Sequence, residues 1–259
     1  MSSQQAIQTG VFCWAELATP NLDAVQPFYA QLFHWNPTPS PDPNGDPYTF
    51  CQSGEDTIAG MYAFQPGEAG QYPRWDSYIA VADAQHAVNV ARVTGGTILT
   101  EPTEVMNMGT MAAIQDPGGA VIRVWQPHKP EPIPAAGAPG TIVWNELATR
   151  NTQACTEFYT EVFGWKAEYT EDPMPYTVFW KDDVRAAGMM EMGDNFPKEV
   201  PAHWMPYFAA DDVDHLQTLA KSLDGEIVVP AQDVPTVGRF AVLQDPGGAT
   251  FSVIKFSEA

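Results

Sequence analysis

One stretch of this chain occurs twice. Trp14-Ala15-Glu16-Leu17-Ala18-Thr19-Pro20-Asn21 returns as Trp144-Asn145-Glu146-Leu147-Ala148-Thr149-Arg150-Asn151, at an offset of 130 residues. At the same offset stand Phe28-Tyr29 and Phe158-Tyr159, Phe33 and Phe163, and Trp35 and Trp165. One residue tighter come Tyr78 and Tyr207, Asp83 and Asp212, Gly96 and Gly225, and Gly109 and Gly238. Ile114 and Leu243 then each open the run Gln-Asp-Pro-Gly-Gly-Ala. So small a drift over so long a span confines insertions to loops, which makes this a tandem duplication whose copies share one fold. The period is that of a small domain, too long for a solenoid repeat.

The 259 residues leave roughly 120 for each copy, enough for a core of its own. The expected division is a first domain over 8–127, a Pro- and Gly-rich linker over 128–140 that neither a helix nor an inner strand tolerates, and a second domain over 141–257. Charge narrows the partners: 12 basic against 32 acidic residues give a net charge of −20, which opposes nucleic acid and anionic membranes. Cys13, Cys51 and Cys155 show no CxxC spacing, so a disulfide scaffold or zinc ribbon is not expected and a reducing compartment suits the chain. The first residues lack the basic and apolar regions of a signal peptide, and no apolar run reaches membrane-spanning length. A cytoplasmic protein, monomeric or homodimeric, is the expectation.

Each copy opens with a strand, at 11–18 and 141–148. A helix follows, capped by Asn21 or Asn151, with apolar residues at helical spacing (Val25, Phe28 and Leu32; Phe158 and Val162). Strands are expected around Trp35, Tyr48–Cys51 and Ile58–Phe64, and again near Trp165–Tyr169, Tyr176–Trp180 and Arg185–Met192. A second unit then starts at Trp75 or Trp204. Its helix runs from Ala84 to Val93, or from Val213 to Leu223, and is ended by Gly95 or Gly225. Asp-Pro-Gly-Gly is the turn between the last two strands. The whole reads as an α+β chain of four βαβββ modules, two per copy.

Trp-x-x-Leu followed by Phe-Tyr and Phe-x-Trp, with Asp-Pro-Gly-Gly-Ala near the end of each copy, resembles the glyoxalase, bleomycin-resistance and extradiol-dioxygenase superfamily, the vicinal oxygen chelate proteins, and most closely its tandem glyoxalase-like members. The resemblance covers nearly the whole chain. It implies paired modules forming open, curled mixed sheets around a cavity that often holds a divalent metal, with functions that vary widely. It also implies where metal ligands would stand. The His at the start of a first module falls on Trp14 and Trp144, and the Glu beyond the Asp-Pro turn falls on Arg123 and Ser252. The second-module starts fall on Asp76 and Met205. Indole offers no lone pair, guanidinium is a permanent cation and serine is a poor ligand for softer ions. No cofactor is therefore expected; a displaced divalent-metal site would draw on Glu146, Glu191 and His203.

Strand alternation puts Glu16 beside Trp14 and Glu146 beside Trp144 on one face. A carboxylate under an aromatic wall can serve as a proton-transfer base, so Glu16 and Glu146 are the candidate catalytic residues. Trp14, Tyr78, Arg123, Trp144, Met205, Tyr207 and Ser252 are the candidate ligand contacts. Trp75, Trp125, Trp204, Met61 and Met189 are expected on the same aromatic walls, and Arg123 must find an anion, either a ligand carboxylate or Glu16. His34, His86, His128 and His215 fall at helix or linker positions facing solvent. No HExxH, Walker A or GxSxG pattern occurs. Two functions remain in play: binding of a small aromatic or apolar compound without metal, and a glyoxalase-type lyase or isomerase in which Glu16 or Glu146 moves a proton and Arg123 or an atypical divalent metal stabilises an enolate-like oxygen.

Overall fold

The computed structural model describes residues 8–41, 47–64, 72–129, 137–172, 174–194 and 196–257. The first copy runs β1 (Phe12–Thr19), α1 (Leu22–Phe33), β2 (Asn36–Pro41), β3 (Pro47–Ser53), β4 (Asp56–Ala63), β5 (Arg74–Ala80), α2 (Ala84–Val93), β6 (Thr97–Val105), β7 (Gly109–Gln115) and β8 (Val121–Pro127). The second runs β9 (Ile142–Thr149), α3 (Thr152–Phe163), β10 (Lys166–Thr170), β11 (Tyr176–Lys181), β12 (Val184–Glu191), β13 (His203–Ala209), α4 (Val213–Ser222), β14 (Glu226–Val234), β15 (Gly238–Gln244) and β16 (Thr250–Phe256). This is βαβββ four times. Residues 130–136 of the expected linker lie outside the described residues.

Hydrogen bonding follows the copies. Strands β1–β8 form one sheet in the order β2-β3-β4-β1-β5-β8-β7-β6, and β9–β16 form another in the matching order β10-β11-β12-β9-β13-β16-β15-β14. The sheets are mixed and open: β1 with β4 and β5 with β8 run parallel, as do β9 with β12 and β13 with β16, while the hairpins are antiparallel. Among the described residues no helix is long and apolar enough to cross a membrane.

Compact packing divides the chain along other lines. One unit comprises Met1–Trp14, Asp76–Ile133 and Trp144–Trp204; the other comprises Ala15–Trp75, Pro134–Val143 and Met205–Ala259. Each unit thus joins a first module from one copy to a second module from the other, a pairing the sequence leaves open. The first unit's core gathers Val88, Ile114, Ile122, Phe158, Phe163 and Phe179, and the second's gathers Val25, Phe28, Phe33, Phe208, Leu243 and Phe251.

The repeated motifs explain one another inside these cores. In the first unit Tyr159 donates to Asp116 Oδ2 at 2.8 Å and accepts from Trp204 Nε1 at 2.8 Å. In the second Tyr29 donates to Asp245 Oδ2 at 3.0 Å and accepts from Trp75 Nε1 at 2.9 Å. The other oxygen of each aspartate closes its own Pro-Gly-Gly turn, Asp116 on the amides of Gly118 and Ala120, Asp245 on those of Gly247 and Ala249. The Tyr of Phe-Tyr and the Asp of Asp-Pro-Gly-Gly therefore meet between copies, satisfying groups that would be costly to bury alone. Burial pushes both carboxyls above the ordinary aspartate value and both phenols well above theirs.

Two expectations need correction. Trp75, Trp204, Met61 and Met189 lie in these cores, each under a tenth exposed, and not on the opposite faces of the sheets. Alternation decides this, because Trp75 points away from Asp76 and Tyr78, and Trp204 away from Met205 and Tyr207. The second concerns helix endings. Gly95 is left-handed (φ 91°) after α2, but after α4 that conformation belongs to Asp224 (φ 63°), not to Gly225. Gly96 and Gly225 recur because there is no room for a side chain: a methyl on Gly225 would stand 2.8 Å from the Gln244 carbonyl and 2.9 Å from Phe28, and one on Gly96 2.7 Å from Phe158.

Candidate functional site

The face of each sheet turned away from the helices carries the candidate residues. In β1 Ala15 and Leu17 enter the helix-side core, so Trp14 and Glu16 share the other face, as the period-two reading expects. In the first unit Asp76 and Tyr78 on β5 stand beside Arg123 on β8, with Tyr78 and Arg123 in direct register. Arg123 Nη2 meets Asp76 Oδ2 at 2.8 Å, its guanidinium lies 5.8 Å from the Tyr78 ring centre, and Met111 S is 3.8 Å from Nη1. The aspartate side chain is 3% exposed and the arginine 13%, so this is a buried ion pair; the anion supplied to Arg123 here is Asp76. Cys13, Trp14 and Trp125 pack around Tyr78.

The same unit holds a second cluster. Trp144 Nε1 donates to the Tyr176 hydroxyl at 3.0 Å, and that hydroxyl donates to Glu146 Oε2 at 2.6 Å. Gly188 lies opposite Glu146 in the β9–β12 register, where any side chain would overlap the Tyr176 hydroxyl. The second unit repeats the arrangement: Tyr48 donates to Glu16 Oε1 at 2.8 Å, and Gly60, opposite Glu16, leaves room for the Tyr48 ring. In both, a tyrosine on the neighbouring hairpin orients the candidate carboxylate. Tyr48 and Tyr176 were missed from sequence, although Tyr48 with Gly60 and Tyr176 with Gly188 recur at one common spacing.

The second unit also carries Met205, Tyr207 and Ser252. Tyr207 and Ser252 are in register across β13 and β16, and the Tyr207 and Phe240 rings lie 6.3 Å apart, tilted by 43°. This face has neither the carboxylate nor the guanidinium found at the matching places in the first copy.

At the positions that the resemblance assigns to metal ligands stand Trp14, Trp144, Arg123, Met205 and Ser252, whose groups are not the imidazole or carboxylate donors of such sites, and Asp76, which bonds Arg123. Of the displaced set, His203 points a ring nitrogen at the Pro201 carbonyl at 2.9 Å, and burial lowers its pKa from the ordinary value. Glu191 is exposed and pairs with Thr149. That is three residues along from Glu146, an odd step that turns it to the other face. Among the described residues, no group of three or more His, Cys, Asp or Glu gathers where it could hold a metal ion.

Comparison with known proteins points one way. Residues 141–253 match the model of the Glyoxalase/Bleomycin resistance protein/Dioxygenase superfamily. A Mycobacterium tuberculosis protein named "Putative glyoxylase CFP32" is 33% identical over 259 residues, covering 98% of each chain. The anthracycline biosynthesis protein DnrV of Streptomyces peucetius is 32% identical, covering 96% of this chain and 94% of its own. Among solved structures, the Mn(II)-bound glyoxalase from Novosphingobium aromaticivorans aligns with a TM-score of 0.66 at 14% identity, over 95% of this chain and 82% of that one.

Proposed function

Because the chain belongs to the glyoxalase/bleomycin resistance protein/dioxygenase superfamily, we propose that it binds a small aromatic or apolar compound on the aromatic faces of its sheets, without the superfamily's divalent ion. One observation carries this reading: the positions that the resemblance assigns to metal ligands hold indole, guanidinium, thioether and hydroxyl groups, with the one carboxylate, Asp76, tied to Arg123, and the part-exposed rings of Trp14 and Trp144 supply flat apolar surface there. Anthracyclines are planar polycyclic compounds, so the likeness to a protein named for their biosynthesis agrees with an aromatic ligand.

The test pairs metal analysis of freshly purified protein with tryptophan quenching by planar aromatic compounds. Quenching that saturates in protein free of divalent metal is expected. A stoichiometric divalent ion that disappears in Glu146→Gln or His203→Ala would overturn it.

The two Tyr-held carboxylates favour a second reading, a lyase or isomerase of glyoxalase type. Each of Glu16 and Glu146 is fixed by a short hydrogen bond from a tyrosine, the positional control that proton transfer requires. In this reading the carboxylate takes a proton from carbon beside a substrate carbonyl, the tyrosine keeps it aimed, and the charge left on the carbonyl oxygen would be held by Arg123 or by an atypical divalent ion. If turnover is found, Glu16→Gln and Glu146→Gln together should lower kcat by about 100-fold or more, and an unchanged rate removes the base.

A further inference from the structure

Ser252 supplies the hydroxyl among the positions assigned to metal ligands, and neither reading says what that hydroxyl bonds. It is fully buried, and among the described residues its Oγ has no hydrogen-bond partner. Its neighbours Phe251 and Val253 both enter the helix-side core, so the serine points to the opposite face. There it pairs in register with Tyr207 on β13 and Val242 on β15. A hydroxyl buried without a partner is worse than a methyl group in the same place. Folding alone would favour alanine.

The surroundings say what such a hydroxyl could meet. Each place where the first copy has Asp76, Met111 or Arg123 has an uncharged counterpart in the second, at an offset of 129: Met205, Phe240 and Ser252. We propose that Ser252 is the hydrogen-bond anchor of a subsite for an uncharged aromatic compound bearing a hydroxyl or carbonyl oxygen. Tyr207, Phe240 and Met205 contact its ring, and the subsite belongs to the second copy alone. The ligand oxygen supplies the partner that the protein withholds. At the matching place in the first copy the Arg123–Asp76 ion pair presents charge in place of a lone hydroxyl, so the duplicated faces select different chemistry. This rests on the reading that the chain binds a small aromatic compound.

Calorimetric titration of the full chain tests it, with 1-naphthol as the neutral oxygen-bearing probe and naphthalene as its counterpart without oxygen. Protonated 1-naphthylmethylamine and 1-naphthoate are the charged probes. One equivalent of 1-naphthol per chain is expected, with both charged probes about tenfold weaker or more. Ser252→Ala should weaken 1-naphthol by about three- to tenfold, leave naphthalene unchanged and not lower Tm. Ser252→Cys, close in shape with a weaker donor, should fall between. Wild-type affinity of Ser252→Ala for 1-naphthol, two equivalents bound, or an equal loss for naphthalene overturns the subsite while leaving small-molecule binding intact. Failure of wild-type protein to bind any of the four overturns both.

Discussion

The helix-side cores of the two units are nearly superimposable in chemistry, and the opposite faces are not. Tyr29, Asp245 and Trp75 make in one core the same chain of hydrogen bonds that Tyr159, Asp116 and Trp204 make in the other. On the opposite faces Asp76 and Arg123 of one copy stand where the other has Met205 and Ser252. Duplication kept what buries the modules against each other. On the opposite faces the copies part: one holds the Arg123–Asp76 ion pair, and the other has uncharged residues at the matching places. Only the tyrosine-held glutamates bridge the contrast, since both copies keep them.

The largest effect should come from splitting the ion pair. Arg123→Met leaves Asp76 charged and buried, and should cost about 3–5 kcal/mol in urea unfolding. The double change Asp76→Leu with Arg123→Met converts the first copy's face into something like the second's and should recover most of that loss, because removing both charges removes the desolvation they required. A double variant as unstable as the single would mean that the pair has a structural duty beyond neutralising itself, and the contrast between the faces would lose its electrostatic basis.

The cores should respond alike. Asp116→Ala and Asp245→Ala each orphan a tyrosine hydroxyl and turn amides, and each should cost about 2–4 kcal/mol. A loss confined to one of them would break the equivalence. The same aspartates set an acid-side dependence. Their folded pKa values are raised by burial, so the folded state holds these protons more tightly than the unfolded chain. The associated stability is complete below the ordinary aspartate value of about 3.9 and is lost as pH rises through the raised folded value. Urea midpoints followed upward from about pH 4 should therefore decline less in the Asp116→Asn, Asp245→Asn double variant than in the native chain. Parallel profiles would sink that assignment.

The fold was legible because duplication checked every element twice: helix caps at Asn21 and Asn151, and turns at Asp116 and Asp245, stand in both copies. Packing between modules was not legible, since the same apolar stripes can pair within a copy or between copies. At the site, alternation correctly put Glu16 with Trp14 and Glu146 with Trp144, because period two is local. The same rule turns Trp75 and Trp204 to the helix side, since their parity opposes that of Tyr78 and Tyr207; residue type alone suggests the other face. Tyr48 and Tyr176 were missed because they reach the glutamates from other strands, and only the Tyr–Gly spacing repeated with them hinted at the contact. Arg123 does meet an anion, but that anion is Asp76, where the sequence points to a ligand carboxylate or Glu16, because the strand neighbour two positions before Tyr78 lies nearer than sequence spacing reveals.

The smallest effect concerns a helix ending that the copies make with different residues. After α2 the left-handed residue is Gly95, and a methyl there would meet Pro117 at 3.5 Å, an ordinary contact. Gly95→Ala should thus cost only the backbone penalty of a side chain at positive φ, about 1 kcal/mol. After α4 the same conformation is held by exposed Asp224, whose short polar side chain tolerates it better than most. Asp224→Gly should change stability by only a few tenths of a kcal/mol, read as a shift in urea midpoint at constant slope. A gain as large as the Gly95→Ala loss would show that Asp224 is strained, and that the second copy tolerates at this turn what the first avoids.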